Sequence, residues 1–244
     1  MSPPERRRPP VTDRLSADVL NALRGLDTPT VCNALELVVP DRRGTGYTVD
    51  HLHCVRPDLG SMVGYAKTVR IEAETPDGRS AEEIRAGLID YFTYIAEGDD
   101  PKVVVVEDID ERPGFGAFWG EVFTNVHKSF GALGLVTNGS VRDIDQFAEG
   151  FQALAAKIGP SHAYVRVVDF GGPVSVAGMD VANGDLIHAD RHGAVVVPHG
   201  VAAGVPGAAD LMFRREAFII GAAKGPDFSV ETLRQAMDQA ANTD

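Results

Sequence analysis

Glu121 and the pair Arg142-Asp143 are separated by twenty residues, and no other residues of this chain are better suited to chemistry on a small anion. An arginine offers a planar fork that matches a carboxylate or an enolate oxygen. An aspartate is a hard oxygen ligand, and with waters and a chelating substrate it holds an octahedral Mg²⁺-like ion. The two stretches read Trp119-Gly120-Glu121 and Gly134-Leu135-Val136-Thr137-Asn138-Gly139-Ser140-Val141-Arg142-Asp143. The spacer has the length of one helix, a turn and a short strand. It therefore brings two acids and an arginine to one end of a sheet.

The elements that must do this can be read around the spacer. Val103 to Val106 is a continuous β-branched run, as in a strand buried on both faces. A glycine-rich loop follows with Gly114, Gly116 and Gly120, then a helix over 119–130 and a second buried strand over 133–137. This is a βαβ unit, so its strands should be parallel neighbours. Ligands of open α/β sheets sit outside the carboxyl ends of such strands, where both the glycine loop and the turn after Thr137 lie. The N–H groups of Glu121, Val122 and Phe123, in the first helical turn, form a cradle for a carboxylate. The pattern Gly114-x-Gly116-x-x-x-Gly120 misses the dinucleotide spacing, so it does not point to NAD.

Elsewhere the sequence predicts helices over 12–24 and 28–37, mostly loop over 38–60, and a strand over 64–73. Ser80 with Glu83 is a capping-box pair. It opens a helix with Ile84, Leu88, Phe92 and Ile95 on one face, ended by Gly98. A helix is expected over 145–157, then short strands over 163–168, 174–176, 186–189 and 194–197. Helices near 211–223 and 229–241 close the chain.

With 244 residues, 44% hydrophobic and 24% charged, the chain fits a single α/β domain over 12–244 with C-terminal helices at 211–241. Residues 1–11 read as a disordered Pro/Arg-rich tail. The formal charge of −12 argues against nucleic acid as a partner, though not against a small anion. No apolar run is long enough to span a bilayer, and the N-terminus lacks the apolar core of a secretion signal. A cytoplasmic protein with Cys32 and Cys54 as reduced thiols is expected.

Other candidates are weaker. His51 and His53 share a strand face without further ligands, and His188, Asp190 and His192 alternate as in a hairpin. His127 and His162 stand alone and read as polar surface. Lys102 or Lys128 is expected near the pocket, where a Schiff-base lysine is conceivable, but the metal reading needs only residues already in place. Neither a Gly-x-Ser-x-Gly elbow nor a His-Glu-x-x-His pair occurs.

The stretch from about Thr28 to Pro198 resembles the RraA-like family, which includes the class II pyruvate aldolases known as 4-hydroxy-4-methyl-2-oxoglutarate aldolases. The matching pieces are the run from Thr28 to Leu35, Trp119-Gly120-Glu121, Gly131 to Val136, Asn138 to Asp143, and Asn183 to Asp190 followed by Gly193 to Pro198. The acid, the twenty-residue spacer and the Arg-Asp pair are the specific part. The resemblance implies a layered α/β/β/α sandwich of the swivelling-domain type, with a parallel βαβ core and added terminal helices. It implies that Asp143 binds a divalent metal (Mg²⁺ or Mn²⁺) and that Arg142 contacts substrate and stabilises an enolate. Gly120, Glu121, Val122 and Phe123 would bind the pyruvyl part, and Glu121 would order metal-bound water. The implied substrate is a small 2-oxo acid, cleaved by retro-aldol chemistry, with oxaloacetate decarboxylation as a second activity. The implied assembly is a homotrimer or a dimer of trimers.

The chain departs from the family pattern in three places. Val122-Phe123-Thr124 replaces the commoner Leu-Leu-Ala, Asn138 stands where Asp is more frequent, and Asp108 to Phe118 is longer than usual. All three are expected on the pocket wall, which puts substrate identity in question. The family also includes non-catalytic regulators that bind and inhibit a ribonuclease; these tend to lack the aspartate after the arginine. A menaquinone methyltransferase label is sometimes given to such sequences, but no glycine-rich nucleoside site is present to support it.

Overall fold

The computed structural model describes residues 14–244, so the tail at 1–11 and the start of the helix expected from residue 12 lie outside the described residues. Helix α1 (Ala17–Arg24) starts where the Ser16 hydroxyl accepts the Val19 N–H. Helix α2 (Thr28–Val38) starts where the Asp27 carboxylate accepts from Thr30 N–H, with Pro29 in its first turn. After the short β1 (His53–Cys54) and the long β2 (Met62–Glu72), the capping box forms as the sequence predicts. The Ser80 hydroxyl accepts the Glu83 N–H, the Glu83 carboxylate accepts the Ser80 N–H, and α3 (Ala81–Ala96) follows.

The centre is β3 (Lys102–Asp108), β4 (Ala117–Trp119), α4 (Glu121–Ser129) and β5 (Ala132–Val141). Then come β6 (Gln152–Ile158), β7 (Arg166–Phe170), β8 (Val174–Val176), β9 (Met179–Val181), β10 (Leu186–Asp190) and β11 (Gly193–Val197). Helices α5 (Val205–Ala223) and α6 (Val230–Ala241) complete the chain. The main sheet runs β1-β6-β5-β3-β2-β10-β11, with β4 on β5 and β7 on β2, and β8 pairs with β9 in a separate ribbon. Strands β3 and β5 are parallel neighbours, as the βαβ reading requires.

Alternation along the strands sorts the core. Val103, Val105 and Val136 face the β8–β9 ribbon with Val176 and Met179. Val104, Val106 and Leu135 face the opposite way, under α3 and α4, with Tyr91, Ile95 and Trp119. A third cluster joins α1, α2 and α5 to β10 and β11 through Leu23, Val31, Val197 and Val205. Helices therefore cover the mixed sheet in two groups while the ribbon covers its other face, and this is the layered α/β arrangement anticipated.

Four local readings change. The helix expected over 145–157 is β6. Gly150, at φ +68°, breaks the chain, and the Ala-rich segment then pairs in parallel with β5. Ala153 and Ala155 bury on one face and Leu154 on the other, so two-sided burial overrides the helical preference of these residues. Strands β4 and β9 are not legible beforehand. Strand β7 starts at Arg166 rather than near 163, after Ala163 adopts φ +47°. Helix α5 starts at Val205, six residues before the expected boundary.

His127 also differs from expectation: it is fully buried under α4 rather than on the surface. Its Nδ1 lies 2.6 Å from the Phe123 carbonyl and its Nε2 2.6 Å from the Tyr91 hydroxyl. A carbonyl only accepts, so Nδ1 carries the proton and Tyr91 donates to Nε2. Burial lowers the His127 pKa from 6.5 to about 4. The unfolded chain therefore binds a proton that the folded chain refuses between those values. The stability involved is intact above pH 6.5 and is lost as pH falls towards about 4, reaching on the order of 3 kcal/mol. The urea midpoint should fall between pH 7 and pH 4.5, with a shallower fall in His127→Gln. Burial lowers His188 in the same direction, so some slope persists in the variant. Equal slopes in both proteins would clear His127 of the effect.

Candidate functional site

The site is assembled by strand pairing as well as by the helical crossover. Beyond β3 the chain is held by Asp108, whose Oδ2 accepts the Gly114 N–H at 2.7 Å. Asp110 accepts the Ala73 and Glu74 N–H groups at 2.6 and 3.2 Å. Strand β4 then lies along the end of β5, Ala117 opposite Ser140 and Trp119 opposite Val141. The Arg142 N–H donates to the Trp119 carbonyl at 2.8 Å. This sets Gly120 directly against the Arg-Asp pair.

Glycine leaves room for the close approach at that contact. A Cβ on Gly120 would lie 2.5 Å from Asp143 Oδ2 and 3.3 Å from Arg142 Cγ. Gly120 is also the N-cap of α4 and has no side chain to occupy the free N–H groups of the first turn. Asp143 adopts a left-handed conformation, φ 53° and ψ 40°. That is a sparsely populated region which Asp tolerates better than most residues. The Arg142 guanidinium is 3.5 Å from Asp143 Oδ2, a loose pair, and the buried Arg142 Nε has no hydrogen-bond partner.

Gly120, Val122, Phe123 and Arg142 line one side of a cavity of about 360 Å³. Helix α3 and strand β7 form the other side. Four of the expected site residues thus converge. The side chains of Glu121 and Asp143 do not line this cavity: Glu121 is exposed on the first turn of α4, and Asp143 stands behind Gly120, about a third exposed. Sequence reasoning missed Arg79 and Arg166, which also reach the cavity. They arrive from the turn before α3 and from β7, segments with no recognisable motif.

Of the remaining candidates His162 also lines the cavity, its Nδ1 2.8 Å from the Ala163 carbonyl, and the others lie elsewhere. Lys102 Nζ is at the opposite end of β3, donating to the Gly98 and Phe130 carbonyls at 2.6 and 2.8 Å. Lys128 donates to the Gly150 carbonyl at 3.3 Å. Neither lines the cavity, which removes both as Schiff-base candidates there. His188 and Asp190 are buried and bond to Thr28 Oγ1 and Thr28 N–H, a structural tie between β10 and α2. His51 and His53 are solvent-exposed.

Asn138 does not line the cavity either. Its Oδ1 accepts the Asp108 N–H at 2.7 Å and its Nδ2 donates to the Asp108 carbonyl at 2.9 Å. Only an amide can do both, since a carboxylate has no donor. Asn138→Asp should therefore lower stability by about 1–3 kcal/mol, read as a drop in urea midpoint at pH 7. An unchanged midpoint would mean that the two-point bond contributes nothing.

A divalent ion fits the residues present in one way. The described residues contain no cluster of three or more His, Cys, Asp or Glu side chains able to hold a metal. Asp143 would be the one protein carboxylate, with space beside its Oδ2 because Gly120 has no Cβ. Such a donor set suits a hard cation that keeps waters and shares substrate oxygens, as Mg²⁺ does, and not a zinc-type cage.

The fold is that of an α/β protein with an arginine-lined cavity at the carboxyl end of parallel strands. More narrowly, the chain belongs to the RraA-like family (Aldolase/RraA), whose pattern it matches over residues 28–196. No curated protein matches the chain. Among solved structures it is similar to an uncharacterized protein from Pseudomonas syringae pv. tomato (TM-score 0.70, 24% identity, covering 96% of this chain and 99% of that one). It is also similar to RraAS2 of Streptomyces coelicolor, described as an unusual member of the RNase ES inhibitor RraA family (TM-score 0.64, 22% identity, 87% and 99% covered). A third is described as a novel cellulase from gut-associated microbes (TM-score 0.67, 19% identity, 87% and 90% covered). These likenesses establish a shared fold. No helix among the described residues is long and apolar enough to cross a membrane.

Proposed function

We propose that the chain is a divalent-metal-dependent lyase that cleaves a 4-hydroxy-2-oxo acid to pyruvate. The observation that carries this reading is the Arg142 guanidinium at the cavity, its buried Nε unpartnered, next to the Asp143 carboxylate. A buried donor without a protein partner calls for an acceptor from a ligand or a water.

In this reading the first-turn N–H groups of α4 and Arg142 hold the 2-oxo acid end of the substrate. The C3–C4 bond breaks and C4 departs as an aldehyde or ketone. Its bonding pair passes into the enolate of pyruvate, which takes up a proton at C3. Arg142 faces the oxygen on which negative charge builds. A divalent ion held by Asp143 supplies Lewis-acid stabilisation of that charge when bound. Glu121, exposed beside the lining residues Gly120 and Val122, positions the water that accepts the C4 hydroxyl proton. If the departing fragment is CO₂, the same enolate forms, which makes oxaloacetate a second substrate. A homotrimer or dimer of trimers belongs to the same reading, and light scattering tests it.

The regulatory alternative within the family is disfavoured by Asp143, which follows the arginine here. Incubating the protein with 4-hydroxy-2-oxo acids and oxaloacetate, with Mg²⁺ or Mn²⁺, and reading pyruvate with lactate dehydrogenase separates the two. Release from any of them supports the lyase. No release from all of them, with capture of the ribonuclease in a pull-down, would transfer the chain to the binding class.

A further inference from the structure

The half of the cavity away from Arg142 has its own chemistry. Its walls are Ile84 and Leu88 of α3 and Val168 and Phe170 of β7. Three arginines reach the cavity, but two are already engaged. Arg79 Nε and Nη2 donate to the Asp77 carboxylate at 3.0 and 2.7 Å, and these bonds lower the Asp77 pKa to about 2. Arg166 Nη2 donates to Glu72 at 2.5 Å, and its Nη1 donates to the Thr75 carbonyl. Arg142 alone keeps a buried donor without a partner. Asp90, also on the lining, has no ion-pair partner among the described residues and adds negative charge to the far wall.

A substrate with one carboxylate can place it at Arg142. A second carboxylate, on the departing half, would meet apolar side chains, two arginines already paired, an aspartate without an ion-pair partner, and His162, whose Nδ1–H is given to the Ala163 carbonyl at 2.8 Å. Ile84, Val168 and Phe170 are 36 to 45% exposed, so an alkyl or aryl group there covers open apolar surface, whereas a carboxylate finds no unpaired cation and faces Asp90. Resting on the lyase reading above, we propose that the cavity selects 4-hydroxy-2-oxo acids whose C4 substituent is an alkyl or aryl group. The products are then pyruvate and an apolar aldehyde or ketone rather than a second oxo acid. The balance is unchanged: C3–C4 breaks, the C4 hydroxyl proton leaves to the base, and C3 is protonated.

The test compares kcat/KM for substrates with phenyl, propyl and carboxylate groups at C4, using the full chain with Mg²⁺. The phenyl or propyl substrate should exceed the carboxylate substrate by about tenfold or more, the scale set by burial of an apolar group in a matching pocket. Asp90→Arg, an exposed position on α3, should narrow that ratio several-fold by giving the second carboxylate a partner. A carboxylate substrate used as well as or better than the apolar ones overturns the selectivity and leaves the lyase standing. A ratio unmoved in Asp90→Arg removes Asp90 from the selectivity. No pyruvate from any substrate, oxaloacetate included, overturns the lyase and the selectivity with it.

Discussion

Asp143→Asn should reduce metal-dependent pyruvate release by about 10³-fold while leaving the fold intact. The substitution removes the negative charge and keeps the shape, so a loss reports on charge. Asn tolerates the left-handed backbone that Asp143 adopts at φ 53°, and the side chain is about a third exposed, so neither strain nor a cavity is introduced. The magnitude follows from losing several kcal/mol of charge stabilisation in the transition state. Circular dichroism and the urea midpoint serve as the controls. Full metal-dependent release from a folded Asp143→Asn would take the carboxylate out of the site.

Trp119→Ala should be the most destabilising of the changes considered, by about 3–5 kcal/mol. Trp119 is completely buried, with His127 at 4.4 Å and Phe118 at 5.7 Å between ring centroids, and Phe123 and Phe151 beyond. Its indole Nε1 has no hydrogen-bond partner, so the loss is one of packing. Trp119→Phe should therefore recover much of the stability. Because the Trp119 carbonyl receives the Arg142 N–H, loosening β4 should also weaken activity before the protein unfolds. A shift in urea midpoint equivalent to less than about 1 kcal/mol would mean that the site collapses around the deletion.

Much of the scaffold was legible because local chemistry and burial agree there. The Val103–Val106 run is a strand in any context that buries both faces, and Ser80 with Glu83 can satisfy each other's backbone without tertiary help. Where the two disagree, tertiary pairing prevails. The alanines of β6 favour a helix in isolation and become a strand because β5 offers a parallel edge. Strand β4 is three residues long and owes its existence to the end of β5, so no periodicity announces it.

The site divides in the same way. That Gly120, Arg142 and Asp143 are neighbours is legible because their spacing spans one crossover, and the structure places a Gly120 Cβ position 2.5 Å from the Asp143 carboxylate. Arg79, Arg166 and the apolar wall of α3 and β7 are not legible, because they are gathered from segments far apart in sequence. Asn138 was expected on the pocket wall, yet both its amide atoms are spent on the Asp108 backbone. His127 reads as surface because one polar residue on a short helix gives no sign of the Tyr91 hydroxyl beneath it.

In the proposed lyase, a divalent ion and the Arg142-Asp143 pair would stabilise the pyruvate enolate formed when the C3–C4 bond breaks. Pyruvate release by the wild-type chain, followed before and after EDTA and again after excess Mg²⁺ or Mn²⁺, tests that role most directly. The expected result is release that EDTA abolishes and metal restores. Release that continues undiminished in EDTA would contradict it.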